Sequence, residues 1–223
     1  MFVDSPTEQT TAITDLVLAL QALCAILVLR RSPVRRPMWT NVWTWCFGLL
    51  CFASVFGAVS HGIRMTAATQ NAIWVPIYLA LLGLMMALFA IAAVTMVWNH
   101  EQAKRCLPWG AAVAIGFFAT TQIWSDSFLL SVIYEATSML LALILYAACF
   151  GLRREQGSGF LAAGILVGIV AAILDTQTSL KFTMIWTFNN HGVFHLAQML
   201  SLLLLTVGVY SSHRLVSTEQ ATV

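Results

Sequence analysis

The segment FNNHGVFHLAQML, residues 188–200, places His191 and His195 four residues apart and Gln198 three residues further on. At helical spacing these side chains share one face. Two imidazoles one turn apart can present ring nitrogens to a single cation, as in many zinc sites. His61 supplies a third imidazole from far upstream. Three histidines plus water is the open arrangement of a catalytic zinc, which acidifies the water and polarises a carbonyl. HGVFH is not HExxH, because Gly192 stands where that motif carries its glutamate. A carboxylate that orients the water or takes its proton must then come from elsewhere, and Glu135 and Asp175 are the candidates. Beside this reading stands a plainer one, a hydrogen-bonded histidine pair near a membrane surface.

The elements that position these residues are read from the composition. The chain has 223 residues, 60% of them hydrophobic and only 9% charged, with a mean hydropathy of +0.84. Soluble proteins carry about 25% charged residues. The expected class is all-α, a polytopic seven-transmembrane helix bundle with no separate soluble domain. A cleavable signal peptide is not expected: MFVDSPTEQT is polar and acidic, and the basic residues follow the first apolar run. The five cysteines form no CxxC pair and read as small core residues.

A bilayer-crossing helix needs about 20 mainly apolar residues. Seven runs qualify: Thr11–Leu29, Met38–Ile63, Ile73–Trp98, Leu107–Trp124, Ser127–Leu152, Gly159–Leu180 and Asn189–Tyr210. The expected layout is an extracytoplasmic segment over 1–10, the seven-helix domain over 11–210 and a cytoplasmic tail over 211–223. Arg30, Arg31, Arg35, Arg36, Lys104, Arg105, Arg153, Arg154 and Arg214 fall on one side of these spans, against Arg64 and Lys181 on the other. The positive-inside rule then places the N-terminus outside and the C-terminus in the cytoplasm, in a multi-pass cell-membrane protein. Trp39, Trp43, Trp74, Trp98, Trp109, Trp124 and Trp186 fall near the expected helix ends, where indole rings favour the interface.

On that topology the intramembrane carboxylates and histidines all lie in the outer half. His61 ends the second helix, His191 and His195 open the seventh, Asp175 lies near the outer end of the sixth, and Asp15 and Glu135 lie one and two turns inward. His100 and His213 lie in cytoplasmic segments. Ser131, Glu135 and Ser138 share a face, and His61 lies above Gly57 and Ser54. A carboxylate facing lipid is costly, so these stripes are expected to face the bundle axis. The outcome is an outward-open polar pocket over an apolar floor, with Ser54, Ser131, Gln198 and Asp15 on its wall. For Asp15 and Asp175 a structural role, bonded to neighbouring polar residues, is the alternative. Gly164 and Gly168 form a small-xxx-small pair suited to close packing.

Seven helices, a histidine ending the second and HxxxH in the seventh resemble the seven-transmembrane metal-dependent hydrolases, the group of the alkaline ceramidases, adiponectin-receptor relatives and haemolysin III-like proteins. The resemblance implies zinc held by His61, His191 and His195, and hydrolysis of a lipid amide. The sequence departs from that pattern at two places. Gly57 stands where the family has a serine four residues before the histidine, and IWVPIY carries no aspartate early in the third helix.

Two functions from different classes follow. One is a zinc-dependent hydrolase of a lipid amide or ester that enters laterally from the outer leaflet. The other is a non-catalytic membrane subunit or receptor whose polar pocket binds a small ligand or partner. A b-type haem held by His61 and a histidine of the seventh helix ranks below both. The seventh helix has no lysine for a retinal Schiff base. Membrane lipids are the expected surroundings, and no feature points to nucleic acid.

Overall fold

The computed structural model of the protein describes residues 2–31, 38–98, 100–124 and 127–221, without the side chains of residues 39, 73, 74, 100, 102, 103, 127, 128 and 213–221. Arg35 and Arg36, and the side chains of Trp39, Trp74, His100, His213 and Arg214, lie outside the described residues.

The first helix, α1 (Pro6–Arg30), starts five residues before the expected Thr11. The cause is local: Ser5 caps it, Pro6 takes the first helical position, and Glu8 lies in the first turn with its N–H 3.5 Å from Ser5 Oγ. Then come α2 (Met38–Gly62) and α3 (Ala67–Val97). The entry to α3 widens into a π turn over Gln70–Trp74, directly before Pro76, whose missing N–H disrupts regular α-helical bonding there. Next are α4 (His100–Ile123) and α5 (Ser127–Ala148), the latter ending in a π turn over Cys149–Arg153.

Gly157, with φ at +83°, turns the chain into α6 (Ser158–Asp175). The expected sixth run continued to Leu180, but α6 ends at Asp175. Residues 181–189 instead form an antiparallel hairpin of β1 (Lys181–Thr183) and β2 (Thr187–Asn189), pairing Phe182 with Phe188. The β-branched and aromatic residues of KFTMIWTFN favour strand, and this hairpin, with a single antiparallel bridge between Phe2 and Ile63, departs from the all-α layout. The last helix, α7 (Asn190–Ala221), runs on through most of the segment expected as a tail, because neither glycine nor proline interrupts it after Tyr210.

All seven helices are long and apolar enough to cross a membrane. On α1 the face Thr11, Thr14, Asp15, Leu18, Ala22, Ala25 and Leu29 is buried, while Leu16, Leu20, Leu23 and Leu27 are exposed. Apolar exposure of this kind recurs on α2, α4, α5 and α7. A water-soluble monomer rarely shows it, and a multi-pass membrane protein requires it. Trp45, Trp98, Trp109, Trp124 and Trp186 are exposed. Trp43, expected at an interface, is instead buried at 1% exposure against Phe47 and Phe89, because it falls on the inward face of α2.

The packing order closes a ring. α1 packs on α2 and α7, α2 on α3, α3 on α5, α5 on α6, and α6 on α7, while α4 lies outside against α3. Around the axis lies a cavity of about 70 Å³, with Glu135, Gln198 and Ser201 on its wall and Trp43, Phe47 and Phe89 beneath them. Glycines bring α6 and α7 together. A Cβ on Gly164 would stand 2.9 Å from Leu205, and one on Gly208 would stand 2.7 Å from Leu161 and 3.0 Å from the Gly157 carbonyl. Ser201 Oγ donates to the Gly164 carbonyl at 2.7 Å across the same seam. None of the five cysteines is in a disulfide.

Gly208→Val should destabilise the protein by roughly 1–3 kcal/mol, the usual cost of overpacking. Gly116→Ala should hold or raise stability, since its Cβ would meet nothing within 4 Å and alanine favours helix. Thermal melting in detergent compares the two, and a melting temperature unchanged in Gly208→Val would refute the close seam.

Candidate functional site

The site is built where the start of α1 meets the end of α2 and the start of α7. His61 is the penultimate residue of α2, and His191 and His195 lie in the first two turns of α7. Asn189 positions that helix start: its Oδ1 accepts from the Gly192 N–H at 3.0 Å and from Thr11 Oγ1 at 3.3 Å. Asn190 donates to the Asp175 carbonyl, tying the end of α6 to the same place.

Each imidazole is held at Nδ1 by a different residue. His61 Nδ1 lies 2.7 Å from Glu8 Oε2, and His191 Nδ1 lies 2.7 Å from Asp175 Oδ1. A carboxylate only accepts, so each ring donates from Nδ1. His195 Nδ1 lies 2.8 Å from Thr14 Oγ1. The same hydroxyl lies 2.8 Å from the Thr11 carbonyl. In the neutral tautomer His61 and His191 keep a lone pair on Nε2.

The rings of His61 and His191 have centroids 6.1 Å apart. His195 is the deepest, at 8% exposure, and its ring lies against Phe194. Its Nε2 stands 3.5 Å from Asp15 Oδ1. Asp15 is buried, and its Oδ2 has no hydrogen-bond partner. Gly57 leaves room for it, since a Cβ there would fall 2.7 Å from that same Oδ2. Among the described residues no three His, Cys, Asp or Glu side chains stand close enough together to hold a metal ion as placed.

The residues named from the sequence divide into two groups. His61, His191, His195, Asp15 and Asp175 come together at one end of the bundle. Asp175 is bound up with His191. Glu135 and Gln198 lie further in, on the wall of the central cavity. Ser54 and Ser131 are buried in α2 and α5, outside that wall. Arg64 pairs with Asp4, and Lys181 lies on the exposed strand β1. Glu8 and Thr14 went unread as partners. Ser5-Pro6-Thr7-Glu8 carries the helix-start signature S-x-x-E, which would have placed Glu8 in the first turn of the helix.

The arrangement defines a class: a seven-helix bundle with a histidine–carboxylate cluster at one end and a central cavity below it. The profile of a family of unknown function (DUF6962) matches residues 10–213, and the chain belongs to that family. No curated protein and no solved structure matches it.

Thr14→Val should cost about 1–3 kcal/mol, because it strips the partner from a buried imidazole nitrogen. Glu8→Gln, at the half-exposed His61 pair, should cost under about 1 kcal/mol. Melting curves for both variants test the ranking, and the reverse order would show that His195 is not held through Thr14.

Proposed function

We propose that the protein is a multi-pass membrane protein, N-terminus outside and C-terminus cytoplasmic, that binds zinc at the outward-facing cluster and hydrolyses a lipid amide or ester there. The observation that carries the reading is the shared use of Nδ1 by the three histidines. Histidines that bind metals through Nε2 are typically held at Nδ1 by a carboxylate, carbonyl or similar acceptor, which fixes the tautomer and aims the ring. Glu8, Asp175 and Thr14 occupy those positions for His61, His191 and His195. The orphaned Asp15 Oδ2 fits the same reading, since a buried acceptor without a partner is costly until a cation or donor meets it.

Zinc, when bound, would supply an acidified water and a polarised carbonyl. The chain's own part is to aim three imidazoles, to exclude bulk water with the apolar bundle and to offer a cavity below. Glu135 and Gln198 on the cavity wall are polar groups able to orient a bound molecule.

A second reading, a ligand-binding membrane subunit without catalysis, draws on two observations: the central cavity, and three histidines that stand too far apart to share an ion as placed.

Metal analysis of detergent-purified protein separates the two. The wild type should carry about one zinc per chain, and His191→Ala/His195→Ala should carry none. A folded wild type that takes up no stoichiometric zinc, even when zinc is supplied, would remove the hydrolase reading and leave the ligand-binding one.

A further inference from the structure

We propose that the central cavity binds a small alkylammonium ion, held by the Glu135 carboxylate and the Gln198 amide on one side and by the rings of Trp43, Phe47 and Phe89 on the other. The inference rests on the ligand-binding reading above, names the ligand class for it, and needs no metal.

A carboxylate inside an apolar bundle needs a partner. Glu135 reaches the cavity from α5 and Gln198 from α7, and both side chains are only partly buried there. Among the described residues neither forms a hydrogen bond or an ion pair. Ser201, also on the wall, differs from them, since its Oγ donates to the Gly164 carbonyl. Among the described residues no lysine, arginine or histidine lines the cavity. Glu135 therefore either keeps its proton or takes its counter-charge from a ligand. An amine meets both cases, because an amine and a carboxylic acid together carry the same atoms and net charge as an ammonium and a carboxylate.

Water alone does not account for the lining. A buried water needs two to four polar partners. Here the polar groups come from α5 and α7, whereas α2 and α3 contribute Trp43, Phe47, Met86 and Phe89. Trp43 packs against Phe47 and Phe89 with ring centroids 5.5 and 5.3 Å apart, so the three form one aromatic cluster. Such rings attract a cation within about 6 Å of their centres. The wall thus asks for a molecule with one donor-rich, positive end and a short apolar body.

The volume bounds that body. At about 70 Å³ the cavity is roughly half the size of one that holds benzene. It admits about three heavy atoms on that scale, the size of ethylammonium. A molecule that fills so small a space touches the carboxylate and the rings together.

The test is saturation-transfer NMR on the full-length protein in detergent, with ethylammonium chloride and ethanol as probes and the signal from empty micelles subtracted. Both probes have the same number of heavy atoms, and only one is charged. Ligands of that size bind no tighter than about 1 mM, a range this method reads. Wild type should bind ethylammonium near that limit, and ethanol at least about tenfold more weakly. Glu135→Gln should weaken ethylammonium at least about tenfold and leave ethanol unchanged. Phe89→Leu keeps the carboxylate and should weaken ethylammonium several-fold, with less effect on ethanol.

Melting curves confirm that each variant is folded, and Phe89→Leu decides the matter if Glu135→Gln is not. Equal binding of the two probes by wild type would overturn the cation site and leave the cavity as a pocket for neutral ligands. Wild-type affinity for ethylammonium in folded Glu135→Gln or Phe89→Leu would put its binding elsewhere and overturn the site as well. A folded wild type that binds neither probe would overturn both the site and the ligand-binding reading of the cavity, leaving that space to water.

Discussion

An imidazole inside an apolar bundle needs polar partners, and that need organises this molecule. His195 is nearly buried, and no group on its own helix satisfies its ring nitrogens. The partners come from α1, whose first three turns turn Glu8, Thr11, Thr14 and Asp15 toward α2 and α7. The rest of α1 is ordinary: small and aliphatic residues face inward, and leucines face outward. Polar contacts set the register of α1 at one end, and apolar packing carries it to the other.

The same constraint explains the start of α7. Asn189 and Asn190 cap the helix and bind across to α1 and α6, so the two histidines that follow enter the site in fixed directions. The hairpin before them serves this end, since β2 delivers Asn189 to the cap while Phe188 packs inward. Gly192, which removes the glutamate of a more familiar motif, lies against Phe188 with a Cβ position only 3.0 Å from that ring. Its small size belongs to packing.

Much of the fold was legible in the sequence because bilayer-length apolar runs are a strong signal. Seven runs gave seven helices, with the main errors at their ends. Those errors had local causes that hydropathy ignores: the capping residues before Thr11, the strand-forming residues after Asp175, and the lack of a breaker after Tyr210. Trp43 was misplaced for a related reason, since position along a helix does not reveal which face a residue occupies. The site was legible in part. His61, His191 and His195 stood out because histidine is rare in such surroundings. Asp15 was noticed, with bonding to its own polar neighbours as the alternative, but its place beside His195 and against Gly57 was not. Glu8 was hidden inside a segment that looked like a polar tail. Pairings between distant helices depend on helix rotation, which hydropathy does not encode.

Gly57 and Asp15 are best understood as one feature. In the resembling hydrolases the position of Gly57 is a serine and the carboxylate comes from the third helix. Here the serine is absent, the third helix has no carboxylate at its start, and α1 fills the vacated space with Asp15. Asp15 sits in that space with Oδ2 unpartnered and Oδ1 3.5 Å from Nε2 of His195. A Cβ at position 57 would press on the same carboxylate, so the absence of a side chain there is what lets α1 bring its acid beside the deepest of the three histidines.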